Sequence, residues 1–175
     1  MARLMSVPYQ MRHTLLFPDM TWEYEESLLD LHQLKPSFRY DSAYLLNLPA
    51  IKPWEIREKA VPFVVDEWKA AADEIQPLFK ERNGKAALPL IVKGLQLYVM
   101  LLFWGNGKPA VLYNVPASLS SLRIKPSNIE DRLAFIFEKP SLYHSFVQLG
   151  ELFIETEKQI MKDMIIAKIK SQRKV

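Results

Sequence analysis

The run from Leu88 to Trp104, LPLIVKGLQLYVMLLFW, constrains this chain more than any other segment. Lys93 and Gln96 alone interrupt its apolar character, and a helix apolar on nearly every face has to be surrounded. Either lipid or protein can surround it. A membrane span needs about 20 predominantly apolar residues, with about 17 as the lower edge. This run sits at that edge, and Lys93 lies near its middle, where a charge in hydrocarbon costs about 3 kcal/mol or more. Pro89 suits a first helical turn and Gly105 follows the last apolar residue as a helix stop. The mean hydropathy of the whole chain is −0.07. The expectation is a buried core helix and no membrane span.

Around that helix the punctuation is heavy: 12 prolines against five glycines in 175 residues. Helices separated by proline-bounded turns give that balance. Residues 1–52 read as an irregular N-terminal arm with short helical pieces. Thr21 is placed to cap a helix through WEYEESLLDLHQL, and a second piece runs from Tyr40 to Leu48. Pro53 and Pro62 each fit the opening of a helix. In the second, Phe63, Val64, Trp68, Ala71, Ile75, Leu78 and Phe79 recur every three to four residues, with a break or kink expected at Pro77. Asn83-Gly84 signals a turn.

The stretch from Gly105 to Pro126 has no sustained period, and connections beyond about 12–15 residues are often functional. Ala110–Tyr113 reads as an extended piece and Ala117–Leu122 as a turn or two of helix. Ser127-x-x-Glu130 has the form of a capping box. Pro140 then opens a long helix to about Lys170, with Leu142, Phe146, Leu149, Phe153 and Ile160 on one stripe, joined by Met164. No segment alternates convincingly as a strand. The fold class expected is all-α: an irregular helical domain over 53–175 around 88–104, with the arm packed on it or separate.

Chemistry is sparse. The absence of cysteine removes disulfides and thiolate metal sites, and favours a cytoplasmic location. The start, MARLMSVPYQMRHTLLF, lacks the continuous apolar segment of a secretory signal. His144, Glu151 and Glu155 share a helix face but lack tight metal-ligand pairing. Gly105-x-Gly107-Lys108 has glycines and a lysine but follows a helix, the wrong context for a phosphate loop. Neither a nucleophile elbow nor a convincing acid pair occurs. No catalytic residue, metal or cofactor is therefore expected.

Three surfaces are candidates for function. Val111, Leu112 and Tyr113, on the long connection, could contact a protein partner. Lys93, Trp104, Asn106 and Tyr113 could line a ligand pocket, with Lys93 as a desolvated amine. The net charge of +3 is concentrated at one end: Lys158 to Val175 carries six cations and one acid, which leaves −2 on the remainder. Lys168, Lys170, Arg173 and Lys174 there could meet nucleic-acid phosphates, or simply complement a helix C-terminus. A protein partner is the first expectation and nucleic acid the second. Oligomeric state is not legible.

The segments LPLIVKGLQLYVMLLFWGNGKPAVLYN and RLAFIFEKPSLYHSFVQLGELFIETEK resemble the YpoC-like family of small proteins from Bacillus and related Firmicutes. The apolar helix, the Trp-Gly-Asn-Gly turn and the Phe-Glu-Lys-Pro junction carry the likeness, which spans Pro53 to Lys158. The resemblance implies a helical cytoplasmic bacterial protein, whose genes tend to lie near those for DNA replication and base-excision repair. It brings no site residues with it.

Overall fold

The computed structural model describes residues 1–174. The arm comes first, and it contains a small antiparallel hairpin in place of the expected helix. Strand β1 (Arg3–Ser6) pairs with β2 (Thr21–Tyr24), Met5 opposite Trp22. Trp22 is buried while its neighbours Thr21 and Glu23 are exposed, so alternation holds β2 on the body over four residues. Helix α1 (Arg39–Leu45) follows a 3₁₀ turn at Glu26–Leu29. The arm's Val7, Met11, Leu16, Trp22, Leu28, Phe38 and Tyr40 are buried in the same core as the helices that follow.

Helix α2 (Arg57–Lys80) and helix α3 (Gly84–Gly105) form an antiparallel pair. Asn83 caps α3 by accepting from the Ala86 N–H at 3.1 Å, a full turn before the apolar run. Pro62, Pro77 and Pro89 therefore lie inside helices and neither start nor break them. All three are exposed, and so are the residues four earlier, Glu58, Asp73 and Lys85, so water is available to the carbonyls that lose a partner. The stop of α3 is Gly107, not Gly105. Gly107 has φ +73° and its N–H reaches the Trp104 carbonyl at 2.9 Å.

Two short helices, α4 (Val115–Ser120) and α5 (Ile129–Glu138), lead to α6 (Tyr143–Arg173). The Ser127/Glu130 capping box does not form: Asn128 holds the N-cap position of α5 in the left-handed region with no side-chain cap bond, and Glu130 turns towards Lys125 at 3.8 Å. Phe146, Leu149, Phe153 and Ile160 form the buried stripe of α6, while Leu142, expected on it, is exposed at the helix start. The fold is mostly α, as expected, with one small two-stranded sheet in the arm.

By length and composition α3 could cross a membrane; here 61% of its apolar window is buried inside the chain, chiefly by α2 and α6. Gln96, one of its two polar interruptions, donates to the Leu16 carbonyl at 2.8 Å and so ties the arm to it. Tyr98 and Thr156 share a buried hydrogen bond of 2.9 Å between α3 and α6. Glycine allows the close approach. A Cβ on Gly94 would lie 2.6 Å from the Trp68 ring and 3.0 Å from Leu149. That ring is stacked on Phe153 at 4.5 Å and has little room to retreat. Gly94→Ala should therefore lower stability by about 1–3 kcal/mol, despite alanine's better helix propensity. Denaturant midpoints check this; a midpoint equal to or above wild type would refute the tight packing.

Candidate interaction surface

The four residues read as a ligand pocket do not converge. Lys93 is half-exposed and pairs with Glu67 at 3.4 Å, a surface ion pair. Trp104 is wholly buried. Asn106 is a latch: its amide donates to the Leu102 and Ile124 carbonyls at 2.7 and 2.8 Å, and its oxygen accepts from the Ile124 N–H at 2.8 Å. Tyr113 is exposed and lies against Tyr9, ring centres 4.1 Å apart. The proposed contact segment is also largely internal. Leu112 is buried, Val111 is half-buried, and the N–H groups of Leu112 and Tyr113 both reach the Gln10 carbonyl. The connection straps the arm down, and of the three residues Tyr113 alone is open to solvent.

His144 lies edge-on to Phe135, and Glu155 accepts two bonds of 2.9 Å from Arg132. Among the described residues no three His, Asp or Glu side chains gather into a possible metal site.

A buried carboxyl escaped the sequence reading. Asp41, in the first turn of α1, is fully buried. Its Oδ1 accepts from Trp104 Nε1 at 3.1 Å and from the Ala110 N–H at 2.6 Å, while Oδ2 has no partner. Burial pushes its pKa up to about 7, against the opposing effect of those hydrogen bonds. In the sequence it is indistinguishable from an ordinary helix-start acid.

The surface with the clearest unmet demand is the far half of α6. After Ile160 no residue through Lys174 is buried, so the helix runs on past the body. It still carries core-type side chains: Met161, Ile165, Ile166 and Ile169 are 41%, 56%, 42% and 44% exposed, and Ile154 upstream is 56% exposed. Two grooves flank the ridge of Met161 and Ile165. One, about 560 Å³, is lined by Glu157, Lys158, Lys162 and Ile166; the other, about 610 Å³, lies against Arg57, Pro62, Met164 and Lys168. The cations Lys168, Lys170, Arg173 and Lys174 are on the same exposed end.

The acid in this segment, Asp163, is already engaged by Arg57 at 2.9 Å and Arg123 at 2.7 Å. Burial raises its pKa, but those two bonds outweigh it and hold the carboxyl below its ordinary value. Arg57 also donates to the Gly105 carbonyl at 3.0 Å, which anchors α6 to the end of α3. The apolar side of this end was legible: IMKDMIIAKIK places Met or Ile along the helix well beyond the last core position.

Fold and surface together describe a mostly helical protein built round one enclosed helix, with an apolar, cation-flanked helix end on its outside. The family model described as YpoC-like protein matches residues 58–168, and the chain belongs to that family. The match begins slightly inside the stretch expected from the resemblance and continues ten residues beyond it, into the exposed end of α6. The chain is 29% identical over 148 residues to "Uncharacterized protein YpoC" of Bacillus subtilis (strain 168), covering 79% of this chain and 90% of that protein. No solved structure matches.

Asp41 yields a pH prediction. In the fold it releases its proton at about 7; in an unfolded chain an aspartate does so at about 3.9. Between those values the native state holds a proton that the unfolded state lacks. Its contribution is full below about pH 4 and is lost as pH rises to about 7, by about 1.4 kcal/mol per pH unit. Asp41→Asn keeps an acceptor for Trp104 and Ala110 and removes the titration. The slope of unfolding free energy over that window should flatten relative to wild type; equal slopes would show that Asp41 does not titrate there.

Proposed function

We propose that the chain is a non-enzymatic interaction protein of the cytoplasm, working through the outer face of the second half of α6. The partner is a protein surface that offers an apolar strip bordered by acidic side chains. One observation carries the reading: Met161, Ile165, Ile166 and Ile169 stand exposed together on a helix that has left its own core. Monomeric proteins rarely leave such apolar residues contiguous unless something covers them. The flanking lysines and Arg173 favour an anionic border on the partner, since complementary charge speeds encounter and fixes orientation. The internal placement of Leu112 moves the expected contact away from the 105–126 connection and onto α6.

A nucleic-acid reading draws on the same cations, whose phosphate contacts would be sensitive to salt. It leaves the isoleucines without a role, so the protein partner is preferred.

The test is a photo-crosslinking amino acid installed in place of Ile165 in the full chain, with irradiation in cells. The expected product is a covalent adduct that protease destroys and nuclease does not. A nuclease-sensitive adduct, or no macromolecular adduct at all, would overturn the proposal. Because residue 165 is exposed, substitution there should alter stability by no more than about 0.5 kcal/mol, which a thermal melt checks.

A further inference from the structure

The outward face of α6 has its own period. Val147, Glu151, Ile154, Lys158, Met161, Ile165 and Lys168 follow one another at alternating steps of four and three, on the side of the helix away from Phe146, Leu149, Phe153 and Ile160. Its apolar members, Val147, Ile154, Met161 and Ile165, stand where a helix that pairs with another helix carries its seam, with Glu151, Lys158 and Lys168 as charged interruptions. From Glu151 to Lys168 every member is exposed. The charges are segregated along this helix as well. Glu151, Glu155 and Glu157 precede Met161 with Lys158 as the one cation among them, whereas Lys162, Lys168, Lys170 and Arg173 follow it with Asp163 as the one acid.

From this we infer that the occupant of the face is a second copy of this chain, laid antiparallel along α6. The inference rests on the interaction reading above and names its partner. Setting Ile154 opposite the second copy's Ile165 fixes every other pair by the same reversal. Glu151, which within its own chain lies 3.8 Å from Arg132, then faces Lys168 of the second copy, and Met161 faces its Lys158, whose stem lies on the apolar seam while its amine reaches water. The two-fold axis repeats each pair, as a self-complementary interface requires. A parallel copy would set glutamates on glutamates and lysines on lysines. An anionic lipid surface would suit the basic end but repel Glu151 and Glu157 on the same face. The antiparallel copy satisfies both halves of the helix at once, and a seam with charged members at unequal positions selects one register.

Sedimentation equilibrium of the full chain tests this. A reversible monomer–dimer equilibrium is expected, with Ile154→Asp and Ile165→Asp each weakening it by about tenfold or more. Glu151→Lys and Lys168→Glu should each weaken it at low salt, and the two together should restore it, because the exchanged charges still oppose one another. Three results would overturn the proposal: a chain that stays monomeric at millimolar concentration, a dimer indifferent to both aspartates, or a charge exchange that fails to restore. If the chain is monomeric but the crosslinker at position 165 captures a different protein, the interaction reading stands and the second copy falls. If it captures none, both fall.

Discussion

The absence of a polar face on α3 is the constraint from which the rest of the structure follows. Seventeen consecutive positions that are almost all apolar leave no side free for water, so a two-helix partnership with α2 is insufficient. Helix α6 covers a second side, and the arm and the 105–126 strap close over much of what is left. At about 25 cal/mol for each Å² of apolar surface removed from water, this cladding is the main source of stability for elements too short to stand alone. The hairpin has four-residue strands and α1 has seven residues. Helix α1 lies against α3 through Tyr40 and Asp41 at Trp104, and the hairpin packs in turn on α1.

The polar groups within this core are few and assigned to joints. Gln96 holds the arm, Tyr98 and Thr156 join α3 to α6, and Trp104 reaches Asp41 on α1. Each sits where two elements of distant sequence meet, so each distinguishes the native arrangement from a merely collapsed one. Asp41 is the most demanding of them, since one carboxyl oxygen serves two donors while the other has none.

Much of the helical framework was legible. The apolar run, the α2 face from Val64 to Ile75, the Asn83-Gly84 turn and the core stripe of α6 all rest on local periodicity, and the structure contains them. What failed depended on partners distant in sequence. Four-residue strands are too short for alternation to register, and β2 is recognisable only through Trp22 packing on the body. Pro62, Pro77 and Pro89 looked like boundaries because one cannot see from the chain that they face solvent. Leu112 looked available because nothing local shows the Gln10 carbonyl that captures its N–H. The YpoC-like resemblance identified the family without identifying a site. The candidate surface is half legible: its cations stand out in the sequence, but the exposure of its isoleucines follows only from the body ending at Ile160.

The arm's dependence on α3 has a consequence for synthesis. Residues 1–52 leave the ribosome ahead of α3, and the groups that receive them, Gln96, Trp104 and Ala110, emerge tens of residues later. Until then Trp22, Met11 and Leu16 have no acceptor surface, and the two small strands lack the body that makes them worth forming. The nascent arm is thus a waiting segment, greasy and unsupported, while the ribosome builds the helix it will wrap. Anything that slows translation between α1 and the end of α3 lengthens that wait and with it the exposure to aggregation or to chaperone capture.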